Sequence, residues 1–192
     1  MVFQEKRVYY KIVVISCFNL EEIMLSKWTE IEQILSDLIG DLTIAVDVLK
    51  NFEFEWEKSK KEDTVRRQLV WRLCIFSLVM NCCKYVELNK KYGKEFKNLI
   101  PEHNKVRGKF NEIITQNKSI NNLRNGCVAH ISDKSKYLSN LQVQEEINKM
   151  FGGHYADDFL NWVCPDDIES SDKTKSLVGV IELLRDAAAA KL

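Results

Sequence analysis

Leu73-Cys74-Ile75-Phe76-Ser77-Leu78-Val79-Met80-Asn81-Cys82-Cys83 carries no charge over eleven residues and is apolar nearly all round. A helix without a polar face has to be buried on most sides. Eleven residues are too few to cross a bilayer, so the run predicts the central helix of a bundle rather than a membrane span. Followed outward, the helix extends from about Thr64 to Tyr92, with Gly93 ending it. The charged run Glu57–Asp63 precedes it as a turn. Before that turn, Trp28, Ile31, Leu35, Leu38, Leu42, Ala45, Leu49 and Phe52 recur at alternating steps of three and four, the seam of one helix face. Ser26 is the predicted N-cap and Glu30 lies near the first turn. The seam makes a helix of about 30 residues, or about 45 Å. Ile34, Ile39 and Val46 widen the stripe, so this helix is expected to touch more than one neighbour.

Downstream, Pro101 is suited to the first position of a third helix, with Val106, Phe110, Ile113 and Ile114 inward. Asn117–Asn122 reads as a polar turn. Short helices are expected at 142–151 and 156–163, separated by the Gly152-Gly153 break, and the second ends before Pro165. The acidic run Asp166–Asp172 reads as a loop. A last helix uses Leu177, Val180, Ile181, Leu184 and Ala188. The predicted fold is therefore all-α: an antiparallel helical bundle built on a long helical hairpin, with short C-terminal helices.

At 192 residues the chain is long enough for one proper core and short for two. Seven Gly and two Pro are few, as an all-helical fold requires. Residues 25–192 read as the single domain and 1–24 as an N-terminal extension. Within the extension, residues 8–18 are apolar after Lys6 and Arg7, but Lys11 interrupts the stretch and no small-x-small cleavage site follows. The segment is expected to be a short strand or helix packed on the bundle, or an upstream extension, rather than an export signal. The six cysteines form no Cys-x-x-Cys pair and have no His at zinc-ligand spacing, which favours a reducing cytoplasm and no structural metal.

Formal charge is zero overall but unevenly placed. From Lys84 to Lys136 twelve Lys and Arg face five Asp and Glu, so this segment carries +7 and the remainder −7. A solvated helix face is the common use of such lysines. A local basic track is also what RNA binding requires, and Lys105, Arg107 and Lys109 are its expected contacts.

Inside the basic segment stands Leu123-Arg124-Asn125-Gly126-Cys127-Val128-Ala129-His130. An arginine can hold a phosphate and a histidine can move a proton near neutral pH. Arg, Asn directly after it, and His after a gap of five residues, on a helical scaffold, resemble the signature of the HEPN superfamily (higher eukaryote and prokaryote nucleotide-binding domains). The resemblance covers roughly residues 25–150 by pattern and is motif-specific only over 123–130. It implies a metal-independent endoribonuclease of defence or toxin–antitoxin type, without cofactor and acting as a homodimer. Arg124 and His130 would be catalytic and Asn125 supporting; an antitoxin protein would be a further partner. Some HEPN toxins carry a Tyr two residues before the His; Val128 stands there, which speaks against regulation by tyrosine modification.

On one regular helix, Arg124 and His130 would lie about 120° apart and about 9 Å along the axis, too far to converge on one phosphate. Gly126 offers a break that places Arg124 in a turn before a helix carrying His130. A two-fold dimer is the other solution, since two motifs in one cleft would supply both a base and an acid. Cys127 with His130 could support thiol chemistry, but no glycine-rich oxyanion loop accompanies them. His103 and His154 read as surface residues. The alternative from another class is a catalytically inactive HEPN-like module that binds a protein partner or nucleotide; an unrelated helical interaction domain is the plainest reading.

Overall fold

The computed structural model describes residues 27–51, 64–128, 137–152, 156–169 and 171–192. The 1–24 extension, the Ser26 cap, Phe52, the Glu57–Asp63 turn, His130 and His154 lie outside the described residues. Within them every regular element is helical and no strand occurs. Helix α1 spans residues 27–51 and α2 Thr64–Lys91; α3 is Gly93–Leu99 and α4 Asn104–Gln116. Then come α5, Lys118–Leu123, α6, Asn140–Met150, α7, Ala156–Val163, and α8, Leu177–Ala189.

The α1 seam is buried as its spacing requires: Ile31, Leu35, Leu38, Leu42, Ala45 and Leu49 are all at most 3% exposed. Each such side chain contributes about 1.5–3 kcal/mol by leaving water. Lys91 Nζ and the Tyr92 hydroxyl, at the end of α2, donate to Glu30 Oε1 near the start of α1, at 3.0 and 2.7 Å. Further along, Ser36–Ala45 of α1 faces Leu73–Lys84 of α2 across an open groove of about 730 Å³. The two helices therefore lie side by side in opposite directions.

Helix α2 is central only in its second half. Ile75, Leu78, Val79, Cys82 and Tyr85 are fully buried, whereas Leu69 and Leu73 stand exposed at the groove end, with Ile44 of α1. The uncharged run thus begins in solvent and becomes core one residue after Cys74. By length and composition Arg66–Lys91 is apolar enough to cross a membrane, and 44% of its most apolar stretch is packed inside the bundle. Burial pushes the Cys82 thiol up to about 12, so it behaves as a small core hydrophobe.

Three local expectations are corrected. Gly93 does not end the helical path but opens α3, whose Phe96 is buried. Asn117–Asn122 is not a turn: only Asn117 is, and its side chain caps α5 by accepting from the Ser119 and Ile120 amides at 3.1 and 3.2 Å. Burial of Ser119, Ile120 and Leu123 then outweighs the polar composition. Ile113, expected inward on α4, is partly exposed, while Phe110 and Ile114 face the core. Phe110 stacks on Trp162 of α7 with ring centroids 5.3 Å apart.

The short C-terminal helices fall where the sequence puts them. Ser139 and Gln142 form a reciprocal capping box at the start of α6. Ser176 caps α8, whose Leu177, Val180, Ile181, Leu184 and Ala188 are buried as expected. A Cβ on Gly179 would sit 2.4 Å from the Lys173 carbonyl oxygen, so the first turn of α8 needs glycine where it packs against the preceding segment. Lys50 ties the end of α1 to this region through Asn161, the Cys164 carbonyl and Asp166, at 2.7, 3.1 and 2.7 Å.

Candidate phosphate-binding site

The Leu123–Val128 stretch is positioned from both sides. Leu123 is buried in the core at the end of α5, and Asn122 donates to Glu146 Oε2 of α6 at 3.0 Å. The Glu146 carboxyl is held below its ordinary range, first by Lys149 and then by Asn122. After Leu123 the backbone widens into a π-helical turn over Arg124–Val128. Such turns are rare because their packing is poor, and they concentrate where a side chain must be aimed. The break expected at Gly126 is thus a widening of the helix, with Arg124 at its first position.

Gly126 sits in that turn for a steric reason. Its carbonyl accepts from the Leu138 amide at 3.2 Å, and a Cβ would lie 2.6 Å from Leu138 Cγ. Alanine there should lower stability by about 1–3 kcal/mol, overpacking outweighing alanine's better helix propensity. A thermal melt of Gly126→Ala checks this, and a raised melting temperature would show that Leu138 yields freely.

Arg124 reaches from the π turn onto α2, where Nη2 donates to Glu87 Oε1 at 2.5 Å. Both are at the surface: the side chains are 36% and 56% exposed. The Arg124 Nε is nevertheless buried, with no hydrogen-bond partner among the described residues. Burial raises the Cys83 thiol, and the Arg124 charge partly offsets that rise, so the guanidinium lies along the Cys83–Glu87 face of α2. Asn125 is exposed beside it. Chemically this is a half-open guanidinium with its stem fixed, a group that can take an anion by hydrogen bonding and charge together.

Burial pushes the Cys127 thiol up, with a smaller opposing effect of Arg72. A thiolate nucleophile needs the reverse shift, which speaks against thiol chemistry at Cys127. His103 lies on the turn between α3 and α4, with Nε2 3.8 Å from Glu102 Oε1.

The expected RNA track divides. Lys105 and Lys109 are exposed on α4. Arg107 is half-buried and engaged internally: Nε and Nη2 donate to Asn104 Oδ1 at 3.2 and 2.7 Å, and Nη1 donates to Asn89 of α2. Its carbonyl accepts from the Tyr85 hydroxyl at 3.2 Å. Arg107 therefore joins α4 to α2, whereas its two lysine neighbours stand at the surface. The residue that sequence reasoning missed is Glu87. It is the only acid between Lys84 and Lys94, but nothing in the sequence pairs it with Arg124.

No protein-family profile matches the chain, and no curated protein does. Among solved structures, the integron cassette protein Vpc_cass2 from the mobile metagenome of V. paracholerae is 60% identical and superposes with a TM-score of 0.77. The match covers 85% of this chain and 96% of that one.

Proposed function

We propose that this chain, which belongs to the family of the integron cassette protein Vpc_cass2, is a HEPN-type metal-independent endoribonuclease acting as a homodimer. The observation that carries the reading is Arg124: the arginine of the HEPN-like stretch stands at the bundle surface, on a π turn, with its guanidinium half open. The opposed α1 and α2 helices would be the hairpin of that fold.

Cleavage needs no external nucleophile. The ribose 2′-hydroxyl loses its proton to a base and attacks the adjacent phosphorus, while the bond to the departing 5′-oxygen breaks and that oxygen takes a proton from an acid. The products are a 2′,3′-cyclic phosphate and a 5′-hydroxyl. Arg124 would hold the non-bridging oxygens as charge builds on them. The resemblance assigns the proton transfers to His130, and Asn125 would orient Arg124 or bind the same phosphate. A histidine serves as base or acid but not both at once, so the two-fold cleft with a second His130 completes the set.

The setting in this reading is cytoplasmic defence or a toxin–antitoxin pair, with an antitoxin protein as partner. The related protein comes from a mobile metagenome, and a gene that travels as a cassette suits a self-contained toxin. A second reading is favoured by the Arg124–Glu87 ion pair: with Arg124 as a structural strut, the chain would be an inactive HEPN-like module binding a protein or nucleotide.

RNA binding through Arg124, Lys105 and Lys109 should be salt-sensitive. With three phosphates contacted, affinity for single-stranded RNA should fall about twentyfold between about 50 and about 200 mM salt, and Lys105→Glu or Lys109→Glu should weaken it further. Affinity indifferent to salt would favour the protein-binding module. Incubating the purified protein with RNA in EDTA tests the enzyme itself: the reading expects fragments, and intact RNA would leave the module.

A further inference from the structure

Glu87 is the carboxylate that meets the Arg124 guanidinium. It lies one turn beyond Cys83 on α2, and one of its carboxylate oxygens meets Nη2 of Arg124. The Arg124 stem is pinned, because Nε is buried, while the far end of the group is open to solvent. A guanidinium offers five N–H donors in a rigid fork that fits carboxylate and phosphate alike. Among the described residues, a single carboxylate oxygen occupies one of them.

Resting on the ribonuclease reading, we propose that Glu87 is a positioning residue that holds Arg124 in its phosphate-clamping geometry while the site is empty and yields that place to an RNA phosphodiester. Two consequences follow from the geometry. The carboxylate competes with the phosphate, so removing its charge tightens RNA binding. The effect passes through Arg124, so it vanishes when Arg124 is absent. Exposed ion pairs of this kind have coupling worth roughly a two- to fivefold change in affinity.

The test measures binding of a 2′-O-methyl RNA oligonucleotide, which lacks the attacking hydroxyl, to the full chain at low salt. Four proteins are compared: the unaltered chain, Glu87→Gln, Arg124→Ala and the double variant. Glu87→Gln should bind about two- to fivefold tighter, and the same change on the Arg124→Ala background should do nothing. Glu87→Ala serves as a second variant and should also tighten binding. Equal tightening on both backgrounds would reveal only a general charge effect and overturn the proposal; no tightening, or no binding by any of the proteins, would overturn it as well. Cleavage of unmodified RNA separates the two levels. The expected binding pattern without cleavage would remove the ribonuclease reading and keep the latch, and cleavage without the Glu87 effect would remove the latch alone.

Discussion

Replacing Leu42 with Asp should abolish cooperative folding or lower the melting temperature by more than about 15 °C. Leu42 sits mid-way along α1, and none of its surface is exposed. Truncating such a leucine costs about 2–5 kcal/mol through lost contacts and the cavity left behind. The carboxyl adds about 1–3 kcal/mol for an unsatisfied polar group, even if it avoids burying charge by holding its proton. Against a typical total of about 5–15 kcal/mol, that loss is decisive. Asp41→Ala, one residue away on the exposed side, should leave the melt within about 0.5 kcal/mol of its starting stability. An unchanged melt for Leu42→Asp would mean that the three-four seam does not face the core.

The core was the legible part of the fold because burial repeats with helical geometry. Trp28 to Leu49 alternates in steps of three and four, and six of those positions are nearly solvent-free. The ends of elements were harder to read, since single side chains decide them. Asn117 looks like part of a polar loop until its carboxamide is seen capping two amides, and the capped segment then buries Ile120 and Leu123. Gly93 carries the same mark whether it ends one helix or begins the next. Leu73 belongs to an uncharged run yet lies in solvent, because composition does not say which end of a helix is covered.

At the site, the sequence supplied Arg124 and a reason for a break at Gly126, but not the break's form. A π turn and the steric limit set by Leu138 are tertiary facts. Glu87 was hidden because it lies 37 residues away from Arg124 and on another helix. Arg107 sits in a basic segment, and its hydrogen bonds to Asn89, Asn104 and Tyr85, which bind it into the bundle, were not legible in that charge pattern.

Arg124→Ala should lower the rate of RNA cleavage by about 10²–10³-fold, the loss typical of a group that stabilises developing charge. Arg124→Lys should recover little of it, since a lysine keeps the charge but not the fork. His130→Ala should be the more severe change, removing base and acid from both sides of a two-fold cleft, with general acid–base catalysis worth about 10²–10⁴-fold for each transfer. Arg124→Ala should not disturb the melt, as Arg124 is half-exposed and its ion pair with Glu87 lies at the surface.

The most direct measurement is end-group analysis of RNA incubated, in excess EDTA, with the purified unaltered chain and with His130→Ala at equal concentration. Fragments ending in 2′,3′-cyclic phosphate are expected from the unaltered chain and intact RNA from the folded variant. Equal cleavage by the two proteins, or fragments without the cyclic end, would contradict the ribonuclease reading.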